Sequence, residues 1–321
     1  NSLYGRIEAN DHQRIATALG GFTQHVNVVE LRDRVVEKRS TRVTPKMFEY
    51  SLVDRASRNR QRIVLPEGTG ERILRAADIL LRRGVADIIL LGREEEIRTK
   101  ASKLGVDLSG ATIIDPANSE LLDSFAEDYM ELRKHKGIVA DMAWDRMSDP
   151  TYFGTMMVHK GFADGMVSGA AHTTAHTIRP AFEIIKTKPG VSVVSSVFLM
   201  ALADRVLVYG DCAVIPDPTS EQLADIAVSS AATAAQFGIE PKVALVSHSN
   251  FGSDDTSATR KMRDAVKMLK ARAPELEVDG EMHGDSALNT TMRERTMPQS
   301  TLKGEANLLV FPNIDAANIT L

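Results

Sequence analysis

Between Arg62 and Leu132 short apolar runs alternate with segments of helical period. Arg62-Ile63-Val64-Leu65, Asp87–Leu91 and Ala111–Ile114 read as strands. Ile73, Ala76, Ala77, Leu80 and Leu81 recur at helical spacing, and Glu94–Leu104 and Leu121–Leu132 read as two further helices. Strands that are apolar at nearly every position, separated by helices, specify a parallel sheet covered on both faces. Its crossovers are expected to be right-handed. Gly84 supplies the stop of the first of these helices. Upstream, Thr44 suits an N-cap and Pro45 the first helical position, so a helix carrying Met47, Phe48, Leu52 and Val53 is predicted to begin there.

The pattern changes after Gly190. Val191–Leu202 and Arg205–Tyr209 lie too close for an intervening helix and are predicted to pair antiparallel. Thr219 with Gln222 has capping-box spacing and opens a helix rich in small residues that stops at Gly238. Lys242–Val246 and Leu308–Phe311 read as strands and Ser257–Arg272 as a helix. The expected fold is α/β: a first lobe over 44–190, a second over 191–321, and a central cleft between them. Residues 1–43, a short helical segment with Val26-Asn27-Val28-Val29 and a charged linker from Glu37, read as the remnant of an upstream domain.

A length of 321 residues suits about two domains. A formal net charge of −4 does not favour nucleic acid or an anionic membrane surface as a partner. One cysteine, Cys212, excludes an intrachain disulfide and suits a reducing cytoplasm. No apolar run approaches the ~18 residues of a membrane span, and no signal peptide opens the chain. The chain begins at Asn-Ser and ends at Leu321, just after an apolar strand, so both ends read as cut.

Ligands of open α/β sheets bind beyond the carboxyl ends of the strands. The segments there are PEGTGER after Leu65, SGAAHTTAHTIRP after Val167, SHSNFGS after Val246, HGDSAL after Met282 and PNIDAAN after Phe311. They are rich in residues that offer backbone N–H groups and hydroxyls to an anionic oxygen. In Ser168–Pro180, Gly169 and its neighbours allow close backbone approach, Thr173, Thr174 and Thr177 add hydroxyls, and Arg179 adds a planar cation suited to phosphate. The plainer reading is a Thr-capped helix start with a surface arginine. Arg133-Lys134-His135-Lys136-Gly137 could hold phosphates, or could neutralise a helix C-terminus that Gly137 closes. His172 and His176, four apart, with Asp285 near His283, raise a metal site, but no HExxH occurs and none is assigned. Cys212 reads more simply as buried filler than as a nucleophile. No GxGxxG or GxxxxGK[ST] points to a dinucleotide or ATP.

IVLPEG with its following ER, ELRKHKG, DGMVSGAAHTTAHTIRP, YGDCAVIPDPTSEQLADIA and FPNIDAANIT together resemble the phosphate acetyltransferases, in order from about Thr44 to Leu321. Residues 1–36 resemble the end of the extra domain of long-form members. The resemblance implies two lobes like those of isocitrate and isopropylmalate dehydrogenases, a homodimer or higher homo-oligomer, and no cofactor or metal. Coenzyme A and acetyl phosphate or phosphate are then substrates, and the thiol attacks directly in a ternary complex. It implies that Arg133 and Arg179 hold the phosphoryl group and that Ser168, Gly169, Thr173 and Thr174 line its pocket. The family's general base, an aspartate of a DLSRG-type segment, is expected beyond Leu321, so the chain ending there is expected to turn over little. Two alternatives stay open: a non-catalytic acetyl-CoA-sensing module like that of some malic enzymes, and a phosphate butyryltransferase.

Overall fold

The computed structural model describes residues 12–31, 43–189 and 191–321. The chain divides into two units, Asn1–Val43 and Thr44–Leu321. In the first, His12–His25 is helical. Asn27 then accepts the N–H groups of Val29 and Glu30, which caps a second helical turn over 28–31. The expected linker residues 37–42 and the expected boundary at Gly190 fall outside the described residues.

The second unit holds two sheets. The first contains β1 (Arg62–Leu65), β2 (Asp87–Leu91), β3 (Thr112–Ile114) and β4 (Gly165–Met166), in the order β3-β2-β1-β4 and parallel throughout. Successive side chains of a strand point to opposite faces. Leu65, Ile88 and Leu90 therefore pack with Leu74, Ala77 and Ile97 of the helices Glu71–Arg83 and Glu94–Leu104. Val64, Ile89 and Leu91 pack on the other side with Phe125, Phe153 and Met156 of the helices Leu122–Arg133 and Pro150–His159. Both faces are buried, which is why these strands carry almost no polar residue.

The second sheet contains β5 (Val197–Ala201), β6 (Val206–Gly210), β7 (Val243–Val246), β8 (Val278–Met282) and β9 (Leu308–Val310), in the order β5-β6-β9-β7-β8. Only β5 runs antiparallel, against β6. The strand expected from Val191 is shorter than its apolar run. Ser196 turns away from the ladder because its N–H donates to Asp211 Oδ1 at 2.9 Å.

Caps set the helix starts. Thr44 accepts the N–H of Met47, with Pro45 in the first turn. Thr219 and Gln222 form the reciprocal capping box. Gly84 closes its helix at a φ of 61°, a left-handed conformation that costs glycine least. Asp149 accepts the N–H groups of Thr151 and Tyr152 and opens the Pro150–His159 helix.

Candidate active site

β1 and β4 are neighbours, so the segments that leave their carboxyl ends meet. Pro66-Glu67-Gly68 follows β1, and Val167–Thr173 follows β4. Glu67 is 7% exposed. Its Oε2 accepts the N–H of Gly169 at 3.2 Å and of Ala170 at 2.9 Å, and its Oε1 accepts those of Ala171 and His172 at 2.7 Å each. Arg72 donates to the carbonyl of Ala170. Burial alone would raise the Glu67 carboxyl. The amides of Ala171, His172 and Ala170, with the His172 ring at 3.6 Å, outweigh burial and hold it below the ordinary carboxylate range.

This corrects one expectation. The amides of Gly169, Ala170 and Ala171 read as open to an anionic ligand, yet the protein's own carboxylate occupies them. Gly169 is placed at a φ of 109°, where any side chain would be strained. The hydroxyls fare differently. Ser168 is partly buried and accepts the Thr177 hydroxyl at 3.4 Å. Thr173 caps the helix Thr174–Ile184 by accepting the N–H of His176, and Thr174 is the exposed first residue of that helix.

The helix Thr174–Ile184 carries Arg179 and also Glu183, the residue that Arg133 faces. Arg179 and Glu183 are four residues apart and so share a face. Arg133, from the end of Leu122–Arg133, lies 3.8 Å from Glu183 Oε1, with both side chains 19% exposed. Arg133 Nε is buried without a hydrogen-bond acceptor. Glu183 Oε2 is anchored instead by the hydroxyls of Tyr129 at 2.7 Å and Tyr152 at 3.1 Å. Burial and Glu183 push the pKa of both phenols up, so both stay protonated donors. Arg179 lines a cavity of about 240 Å³ with Asp145, Arg146, Asp149, Tyr152 and His176. Arg146 stacks over the Tyr152 ring at 5.4 Å. Lys134, His135 and Lys136 form a short 3-10 turn closed by Gly137 at a φ of 72°, so of that basic run only Arg133 reaches inward.

His172 lies before the helix and His176 inside it; their rings stack at 4.4 Å. Among the described residues no group of three or more His, Cys, Asp or Glu side chains is placed to hold a metal ion. Cys212 is buried, and burial with the neighbouring Asp211 charge pushes its thiol up to about 11. The second sheet repeats the device seen at Glu67. Asp211 accepts the N–H groups of Ser196, Ala213, Val214 and Ile215, and fully buried Glu281 accepts the Ser249 hydroxyl, the Gly252 N–H and an Arg263 guanidinium N–H. Glu67, Glu183, Tyr129 and Tyr152 escape sequence reading, because each acts on a partner far along the chain. The one legible signal is an acid placed directly after an apolar strand at Glu67.

The family model described as "Phosphate acetyl/butaryl transferase" matches residues 47–321. A phosphate acetyltransferase of Nitratidesulfovibrio vulgaris is 53% identical over 320 residues, covering 100% of this chain and 46% of that protein. One of Corynebacterium glutamicum is 48% identical over 277 residues, 86% of this chain and 84% of that protein. The solved structure of the EutD phosphotransacetylase from Staphylococcus aureus matches with a TM-score of 0.80 at 42% identity, over 87% of this chain and 85% of that one. The chain spans about half the length of relatives such as that of N. vulgaris.

Proposed function

The chain belongs to the phosphate acetyl/butaryl transferase family, and we propose that it is the catalytic part of a phosphate acetyltransferase, which moves an acetyl group between coenzyme A and inorganic phosphate. The observation that carries this reading is that one helix carries both Glu183, which faces Arg133 at 3.8 Å and accepts the Tyr152 phenol, and Arg179, which lines a cavity beside Tyr152.

The chemistry asks for such a pair. The thiolate of coenzyme A attacks the carbonyl carbon of acetyl phosphate, the carbon–sulfur bond forms, and the bond from that carbon to the phosphate oxygen breaks. Negative charge grows on the carbonyl oxygen and then on the departing phosphate. Fixed guanidinium groups stabilise that charge without reorganising as it develops. Arg179, exposed at the cavity, takes the phosphoryl oxygens. Arg133, loosely held by Glu183 with Nε free, turns to the same group. Ser168, Thr173 and Thr174 line the pocket with hydroxyls at the helix start, where the helix dipole favours an anion. Both substrates are bound together and no acyl-enzyme forms. The thiol proton passes to a general base.

The two sheets are read as two lobes around a cleft, in the manner of isocitrate dehydrogenase, in a cytoplasmic homodimer or higher homo-oligomer. The test is thioester formation from coenzyme A and acetyl phosphate, followed by absorbance. Turnover is expected. Tight acetyl-CoA binding without turnover would mark a sensing module instead.

A further inference from the structure

We propose that Glu67 is a positioning residue of this site: its carboxylate fixes the backbone of residues 169–172 and thereby sets Ser168 and the Thr173-capped helix start against the phosphoryl group. The proposal rests on the acetyl-transfer reading above.

Four consecutive amides aimed at one point make a concave donor set for an anion. An empty set of this kind would leave buried donors unpaired or would trap a phosphate in an unproductive place. Glu67 fills it from a strand away, across a separation of 102 to 105 residues, so the contact is a tie between neighbouring strand ends and not a local turn. The residue before the tied stretch is Ser168. The residue after it is Thr173, which caps the helix that carries Arg179. A shift of the tied amides therefore moves a hydroxyl on one side and the phosphate-facing helix on the other. Both carboxylate oxygens are committed to amides, so Glu67 acts through the loop and not on the reacting atoms.

The site also admits a test by chemical replacement. Glu67, Ala171 and His172 line a cavity of about 360 Å³ that opens at the ends of β1, β2 and β3, a route by which a small carboxylate can enter. In the full-length protein, Glu67→Ala should lower kcat/KM for acetyl phosphate about a hundredfold, the scale set by loss of reactant orientation. The KM for coenzyme A should stay within about threefold, since only one substrate's contacts move. Added acetate should restore turnover along a saturable curve, and acetamide, the same shape without charge, should not. Glu67→Gln keeps the shape and covers the case in which the alanine variant fails to fold. It should show the same selective loss, because its own N–H groups face the amides. Kinetics of wild-type quality in Glu67→Gln, or an alanine defect that acetate leaves untouched, would overturn the proposal. If the wild-type protein shows no turnover, the reaction reading fails instead. Calorimetric titration with inorganic phosphate then still decides: about tenfold weaker binding in Glu67→Gln is expected from the misplaced loop, and equal binding rejects the assignment.

Discussion

The guanidinium of Arg133 and the carboxylate of Glu183 stand 3.8 Å apart, each four-fifths buried, and the carboxylate's other oxygen is held by two phenols. The pair is close enough to fix charge and too long for a committed hydrogen bond. Arg133 is thus kept in place by a partner that it can leave when a stronger acceptor arrives.

Arg179→Ala should lower kcat/KM for acetyl phosphate by about 10²–10³, the usual effect of removing one donor to developing charge. Lysine at this position should restore only part of the loss, since it lacks the two-pronged geometry. Steady-state kinetics with each substrate varied in turn is the check. An unchanged response to acetyl phosphate would remove Arg179 from the site.

Tyr129→Phe deletes the shorter of the two phenol bonds to Glu183. A bond to a charged acceptor is worth about 1.5–3 kcal/mol, so the urea midpoint should fall accordingly. Tyr152→Phe, which loses the longer bond, should fall less. Equal midpoints for wild type and Tyr129→Phe would mean that water replaces the phenol without cost.

Asp164 accepts the Arg62 side chain and its backbone N–H, and these bonds hold its carboxyl down to about 2. A depressed folded value stabilises the native state above the ordinary aspartate value near 3.8. That contribution is lost as pH falls through about 2. Asp164→Asn should therefore be less stable than wild type at pH 6, with the difference closing toward pH 2. Denaturant melts across this range test the sign. A gap that widened on acidification would contradict it.

Cys212 should react slowly with iodoacetamide at pH 7.5 in the native protein and fast in urea, because the buried thiol is scarcely ionised there. Cys212→Ala should keep turnover within about threefold, as expected of a residue outside the chemistry. Abolished turnover in a folded variant would reinstate the thiol as a nucleophile.

Gly68 has no room for a methyl group: a Cβ there would lie 2.4 Å from the Leu91 carbonyl oxygen. Gly68→Ala should cost about 1–3 kcal/mol, the range of overpacking, and pry the ends of β1 and β2 apart. A thermal midpoint equal to that of wild type would show that the strands can separate freely.

The first sheet is legible where one segment carries its own signal. β1, β2 and the helix that Gly84 ends declare themselves by continuous apolar runs, helical period and a left-handed stop. β4 does not, since two residues, Gly165 and Met166, make no run. The helix Pro150–His159 is buried on nearly every side and so has no polar stripe to betray its period, although Asp149-Pro150 is a readable start. In the site, Arg133 and Arg179 stand out by residue type and by resemblance. Their meeting at Glu183 is invisible in the sequence, because 50 residues separate Arg133 from its partner and no local pattern encodes the contact. The Ser168–Ala171 loop misleads for the same reason: its amides are present as read, but the acid that claims them, Glu67, lies in the loop after another strand.

Asp211, Glu281 and Glu67 each grip backbone atoms, and a backbone amide is supplied by almost any residue. The gripped stretches are therefore tolerant in side chain and intolerant in length. Ala170 and Ala171 can be exchanged for other small residues with the grip intact, whereas one residue inserted between Ser168 and Thr173 shifts every amide off its oxygen. Drift by substitution is cheap along this rim, and drift by insertion or deletion is not.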